Sequence, residues 1–250
     1  MLVQKNKIHL SSLIKNKKVV DNVKSLLIAL LIALVIRSFF IQAFYIPSGS
    51  MKPGLLEGDY VFVTKFNYGY SSYSLPFNLP VIPQSRLFYS QPTRGDVVIF
   101  KWRGDRSTDY VKRLIGLPGD KIQIINSIVY INNKPLKREL IGTENIDGTE
   151  LEVYREYMDN KSYIVWQIKG FNYLPAKYYG PITLKADEFF MMGDNRDMSK
   201  DSRFADVSTV EKELLVGKGG MIFFSINGSF LEFWKWFTEI RWSRLFKIIH

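Results

Sequence analysis

GDVVIFK at residues 95–101, DYVKRLI at 109–115 and KIQIINSIVYIN at 121–132 are short runs of β-branched and aromatic residues set between Gly, Pro, Asn and Asp. Runs of this kind read as strands. The pattern returns at residues 59–66 (DYVFVTKF), 163–168, 188–192 and 220–225, and long helical periodicity is almost absent after residue 45. The chain is therefore expected to be mainly β, with coiled, barrel-like sheets. Asn126 and Ser127 divide the third run into two apolar halves and mark a hairpin turn, although the usual glycine is missing. Residues 71–92, rich in Ser, Pro, Tyr and Asn, read as a long loop. The expected division is a core of residues 41–134 and 188–228 with an inserted β-rich elaboration at 135–187, where charges and tyrosines dilute the strand signal. An aromatic and basic tail at 229–250 either packs on the core or lies in a membrane interface.

Ahead of this region, residues 26–36 (LLIALLIALVI) form an unbroken apolar run, too short alone for about 30 Å of hydrocarbon. Arg37 interrupts it and SFFIQAFYI continues to residue 46. An arginine at mid-bilayer costs roughly 2.5–3.5 kcal/mol, which the apolar run offsets if Arg37 snorkels to the outer face. The expected span is residues 22–40, with Phe39, Phe40, Phe44 and Tyr45 at the outer interface. A cleavable signal peptide fits the charged start and the apolar run, but the stretch following Arg37 is aromatic and offers no convincing small-x-small site. An uncleaved anchor is the better reading. Lys5, Lys7, Lys15, Lys17, Lys18 and Lys24, against Asp21 alone, place residues 1–21 in the cytoplasm and the rest of the chain outside.

That cluster also accounts for about half of the net charge of +10, and no Lys/Arg-rich run elsewhere traces a phosphate backbone, so nucleic acid is not an expected partner. There is no cysteine, which removes thiol nucleophiles, disulfides and Cys-based zinc sites. The two histidines, His9 and His250, stand at the termini, so neither a Ser-His-Asp triad nor HExxH chemistry has a usable histidine. Neither cofactor nor metal is expected, and Asp194, Asp197 and Asp201 do not have calcium-loop spacing. A serine hydrolase on this chain needs another base, and lysine is the known substitute.

Residues 46–53 (IPSGSMKP) set two serines around a glycine between prolines, a rigid turn able to aim Ser50 outward; a plain surface turn has the same composition. In DYVKRLI, strand alternation puts Tyr110, Lys112 and Leu114 on one face. A lysine on an apolar face is desolvated, which favours the neutral amine a general base requires. A lysine snorkelling from a sheet edge is the bland alternative.

IPSGSMKPGLLEGD (residues 46–59), RGDVVIF (94–100), YVKRLIGLPGDKI (110–122) and MGDNRDMSKDSRF (192–204) closely resemble, in order, the sequence boxes of bacterial type I signal peptidase (leader peptidase), a serine/lysine family. The resemblance implies Ser50 as nucleophile, Lys112 as general base, and an oxyanion hole from the Ser50 N–H and the Ser48 hydroxyl. It implies that Ser199 orients the Lys112 ammonium and that Asp201 and Arg203 pair behind the site. Phe44, Ile46, Pro47, Met51, Leu55, Asp109, Tyr110 and Val111 would line two shallow apolar pockets that accept alanine-like side chains. Substrates would be exported preproteins cut after A-x-A. The enzyme would be a single-pass protein of the bacterial cytoplasmic membrane, in contact with lipid, with its catalytic domain on the periplasmic side. Gly54 stands where the family usually has threonine, Met198 where it has asparagine, and Phe204-Ala205-Asp206 departs from its usual ending. Alternatives are a related Ser/Lys peptidase with a dedicated substrate, and an anchored β-domain without catalysis.

Overall fold

The computed structural model describes residues 2–75, 82, 86–228 and 233–249, without the side chains of 2–16 and 233. His250, the side chains of His9, Lys5, Lys7 and Lys15, and part of the expected loop and tail therefore lie outside the described residues. Helix α1 runs over Leu2–Phe39. Its stretch Lys17–Phe39 has a mean hydropathy of 2.3 and an apolar run left exposed by the rest of the protein, with Phe39 alone meeting the Tyr70 ring, so by length and composition it suffices to cross a membrane. At 1.5 Å per residue it measures roughly 35 Å. It starts five residues before the expected span.

The rest of the chain is mainly β. Strands β1 (Ile41–Tyr45), β2 (Asp59–Thr64), β3 (Val97–Lys101), β4 (Asp109–Gly116), β5 (Lys121–Ile125), β6 (Ile128–Ile131) and β7 (Lys134–Pro135) precede the insertion. Strands β8 (Lys137–Ile146), β9 (Thr149–Met158), β10 (Lys161–Ile168) and β11 (Tyr179–Thr183) follow, then β12 (Glu188–Met192), β13 (Val210–Glu211), β14 (Leu215–Ser225) and β15 (Lys247–Ile248). The largest sheet runs β1-β2-β14-β3-β4-β12-β13, with β15 added on β14. Its strands pair antiparallel. It curls into a half-barrel because β14 shifts register against its neighbours between Leu215 and Gly217, Gly219 and Met221, and Ile222 and Phe224. Each irregularity bends the strand. The other sheets run β10-β9-β8 and β11-β5-β6-β7.

Alternation explains which residues enter the core. In β2 the residues Asp59, Val61 and Val63 are buried and their neighbours half-buried. Val61 and Val63 meet Ile46, Met51, Leu55, Val97, Ile99, Val216 and Ile222 on one face of the large sheet. On another, Val98, Phe100 and Leu114 pack with Tyr68, Phe189, Met191 and Leu215. A third cluster, Ile115, Ile122, Ile124, Val129, Tyr163, Val165, Phe190 and Met192, joins the large sheet to the two smaller ones. The hairpin at Asn126 and Ser127 forms as expected, both residues taking positive φ (49° and 61°), which its mirror-image turn demands.

The longest strands of the elaboration, β8 and β9, lie where the sequence signal is weakest. The reason is exposure: β8 is solvated along nearly its whole length, so it carries Lys, Arg, Glu and Asn. In the 71–92 segment, buried Arg86 donates to the carbonyls of Tyr68, Gly69 and Leu215 at 3.0, 2.6 and 2.7 Å. Part of the tail packs on the core, one of the two expected readings. Its arginines and Ile249 pack on the core, whereas Trp234, Phe237, Trp242 and Phe246 stand in solvent, Phe237 at 88 % exposure.

Phe190 of β12 is fully buried beneath the strand that leads into residues 193–203. Phe190→Ala is expected to destabilise the domain by about 3–5 kcal/mol, read by chemical denaturation, because the surrounding sheets cannot collapse onto the cavity.

Candidate active site

Three chain segments meet at one cleft of about 430 Å³. The first follows β1: Ser48 is extended, and Gly49–Met51 forms a single 3-10 turn. Met51 behind it is buried with Ile46 and Leu55, so the apolar cluster fixes the turn and leaves Ser50 facing the cleft. The second is β4, whose register against β3 sets Lys112 opposite Val98. The third is the loop after β12, residues 193–203, which contributes Met198 and Lys200 to the rim.

Lys112 Nζ lies 2.6 Å from Ser50 Oγ and donates to the Val111 carbonyl at 3.1 Å. The side chain is almost entirely enclosed, the residue being 5 % exposed. Burial pulls its pKa from 10.5 down to about 8, against the opposing pull of the Asp201 and Asp194 carboxylates. Ser48 Oγ is 3.4 Å from Ser50 Oγ.

Behind the lysine, Asp201 receives Arg203 Nε at 2.8 Å and Nη2 at 2.9 Å, and also the Gly193 N–H at 2.9 Å. Burial pushes the Asp201 carboxyl up, but Arg203 and these hydrogen bonds outweigh it and hold the group below the usual carboxylate range. Ser199 is buried beside it; its hydroxyl helps to hold Asp201 low, yet it makes no well-aligned hydrogen bond of its own. Among the described residues no cluster of three or more His, Cys, Asp or Glu is placed to hold a metal.

Of the residues expected to form pockets, Phe44, Ile46, Pro47, Met51, Asp109, Tyr110 and Val111 line this cleft together with Ser48, Ser50 and Lys112. Leu55 does not. It faces a smaller cavity behind the nucleophile turn, of about 230 Å³, bordered by Gly54, Arg113, Asp194 and the end of the tail.

Several residues at the site escaped the sequence reading. Asn195 N–H donates to the Ser50 carbonyl at 3.1 Å and its Nδ2 to the Gly49 carbonyl at 3.2 Å, so the loop grips the turn directly. Gly193 is required for close approach: a Cβ there would sit 2.2 Å from Ser199 Oγ and 2.4 Å from the Ser50 carbonyl oxygen. Arg113 pairs with Asp194 through two 2.7 Å bonds, and Arg196 with Glu156, all four groups buried. The available signal was Arg113 beside Lys112 in a core strand, since a buried charge demands a partner.

An amine this enclosed should titrate far below a free lysine. NMR titration of the Lys112 ammonium is expected to give a midpoint near 8; a midpoint above about 10, the ordinary lysine value, would mean that the site is open to water.

A family model described as signal peptidase, peptidase S26, matches residues 19–224. The signal peptidase I of Rickettsia typhi (strain ATCC VR-144 / Wilmington) is 38 % identical over 254 residues, covering 94 % of this chain and 96 % of its own. That of Rickettsia prowazekii (strain Madrid E) is 37 % identical over 253 residues with the same coverage. A signal peptidase I crystal structure from Enterococcus faecalis V583 is 22 % identical, with a TM-score of 0.32 over 52 % of this chain and 97 % of that one. The assignment rests on the family model and the sequence relatives: the chain belongs to the signal peptidase family, peptidase S26.

Proposed function

We propose that this peptidase is a membrane-anchored endopeptidase that removes signal peptides from exported preproteins, with Ser50 as nucleophile and Lys112 as general base. The observation that carries the reading is the 2.6 Å contact between Ser50 Oγ and an amine held near pKa 8 by burial. Lys112, neutral, takes the Ser50 proton as Oγ bonds to the scissile carbonyl carbon. The Ser50 N–H and the Ser48 hydroxyl receive the charge that develops on the carbonyl oxygen. Lys112 then gives its proton to the departing amine, which leaves an acyl-enzyme. Water, deprotonated by the same lysine, releases the signal peptide and restores Ser50. Ser199, whose buried hydroxyl lacks a well-aligned bond, is assigned to the ammonium form of Lys112, which needs acceptors for three N–H groups. Asp201 and Arg203 hold Ser199 and Gly193 in place.

The substrate lies extended between β1 and β4, and β1 is an edge strand that offers main-chain hydrogen bonds. Phe44, Ile46, Pro47, Met51, Tyr110 and Val111 leave room for small side chains, which supports cutting after A-x-A. Leu55 backs this wall from behind, and Asp109 marks the far end of the cleft. The Lys17–Phe39 segment serves as a single-pass anchor with the lysine-rich start in the cytoplasm and the catalytic domain on the periplasmic side. The exposed tail aromatics suit the lipid interface.

The test is cleavage of a preprotein by the purified full chain in detergent, with the cut mapped by mass spectrometry. Ser50→Ala and Lys112→Ala are each expected to lower kcat/KM by roughly 10²–10⁴ with the fold intact. A well-folded Lys112→Ala protein with near-normal turnover would overturn the dyad, and cuts scattered away from A-x-A would overturn the specificity.

Gly193→Ala, which forces Ser199 and the Ser50 backbone apart, is expected to cost about 10²-fold in kcat/KM. Gly219→Ala, whose new Cβ meets Val97 only at 3.4 Å, serves as the control and is expected to keep full activity. Equal activity of the two variants would remove Gly193 from the positioning scheme.

A further inference from the structure

We propose that Arg244, in the C-terminal tail, is a positioning residue for Ser50: it holds the nucleophile turn from behind through the Gly54 carbonyl while its charge is anchored on Asp59. The proposal rests on the dyad reading above and adds a residue far outside the boxes that suggest it.

The nucleophile turn belongs to a loop, residues 46–59, closed at its neck by Ile46 N–H to the Asp59 carbonyl (2.9 Å) and Gly58 N–H to the Ile46 carbonyl (3.0 Å). Its front is gripped by Asn195. Its back is gripped by the tail. Arg244 Nη2 donates to the Gly54 carbonyl at 3.0 Å, four residues after Ser50, and Arg241 Nη2 donates to the carbonyl of Glu57. The same Arg244 guanidinium makes a fork on Asp59, Nε to Oδ1 at 3.0 Å and Nη2 to Oδ2 at 2.6 Å. Asp59 is 0 % exposed and also accepts the Ser225 hydroxyl at 2.7 Å and the Leu56 N–H at 2.8 Å. A carboxylate buried this deeply demands such a partner, and the planar fork fixes where the guanidinium must lie.

Both flanks of Arg244 are tied down. Before it, Arg241 N–H bonds the Ser225 carbonyl at 3.0 Å. After it, β15 pairs with β14, and Ile249 packs against the cluster that contains Ile46, Met51 and Leu55. Gly58 is the contact point of this arrangement, with φ of +85° and a Cβ position 2.0 Å from the Ile226 carbonyl oxygen. Gly54 gives the clasp its purpose. It has no side chain to hold its place and the widest backbone freedom of any residue, so the peptide after it is held at its two ends, by the Leu55 N–H on the Met51 carbonyl (2.9 Å) and by Arg244 on the Gly54 carbonyl. A side chain could not substitute easily, because a Cβ there would lie 3.0 Å from the Asp194 carboxylate. A 2.6 Å Ser–Lys contact has little slack, and misplacement by 1 Å costs on the order of 10²-fold in rate.

Lysine separates the two functions of Arg244, since an ammonium can neutralise Asp59 but cannot make the fork that also reaches Gly54. Arg244→Lys and Arg244→Ala would be assayed in the full chain in detergent on a preprotein, with kcat, KM, the pH profile of kcat/KM and the thermal midpoint measured together. Arg244→Lys is expected to keep the wild-type thermal midpoint and lose about 10-fold in kcat, and Arg244→Ala about 100-fold, with KM within about two-fold of wild type. The acid limb of the profile is expected to move to higher pH as water reaches Lys112. Wild-type kcat in Arg244→Lys would overturn the proposal. So would a loss of kcat that matches the loss of folded protein, with the acid limb unmoved. If Arg244→Ala fails to fold, Arg244→Lys and Arg244→Gln decide. A wild-type enzyme inert on preproteins would instead overturn the peptidase reading, and the proposal with it.

Discussion

A lysine can accept a proton near neutral pH only while its amine is kept out of water, and much of this domain is arranged around that constraint. Burial lowers Lys112 to about 8, but the carboxylates of Asp201 and Asp194 pull the other way. Each is met by a buried guanidinium, Arg203 on Asp201 and Arg113 on Asp194. The shell behind Lys112 is thus close to electroneutral. Removing either arginine would leave a bare carboxylate facing the amine and favour its charged form. The two ion pairs add little to stability compared with an apolar filling of the same volume. Their value lies in the field they cancel.

The proposed nucleophile is constrained by backbone more than by side chain. Ser50 sits on a turn whose apolar residue, Met51, points into the core and whose carbonyls are bound by Asn195. Loop 193–203 thereby does two things at once, since Gly193 bonds Asp201 while Asn195 bonds the Ser50 turn. The distance between Lys112 and Ser50 is set by one short segment wedged between β4 and the turn. The segment is connected to the elaboration as well: Trp166 N–H bonds the Asp194 carbonyl at 2.9 Å, and Arg196 enters the β9 sheet to meet Glu156.

Much of this was legible in the sequence where the determining pattern is local. The strands from residue 95 to 132, the hairpin at Asn126 and the apolar helix follow from period and composition, and the lack of an internal histidine pointed to a lysine base. The proximity of Ser50 and Lys112 came from resemblance rather than from any local rule, because 62 residues separate them. What stayed hidden is of one kind. Arg113 with Asp194 and Arg196 with Glu156 are separated by 81 and 40 residues, and no periodicity names the partner of a buried charge. Strand β8 was faint because a solvated strand needs no apolar alternation. Leu55 was expected in the substrate pockets, whereas it lies behind the Ser50 turn, packed with Ile46 and Met51 and bordering the cavity of Gly54, Arg113 and Asp194.

Helix α1 ends at Phe39 and β1 begins at Ile41, so a single residue joins the apolar helix to the strand that borders the cleft. The joint is stiffened by Lys65 N–H on the Phe40 carbonyl and by Tyr70 Oη–H on the Phe39 carbonyl at 2.8 Å. There is no tether in which the domain could swivel. With α1 in a bilayer, the nine residues 40–48 would reach at most about 31 Å from the end of the helix before the Ser50 turn begins. In that setting the altitude and tilt of Ser50 would be fixed by the fold. A peptidase held this way would work as a depth gauge, sorting peptide bonds by their height above the lipid surface before any side chain is inspected.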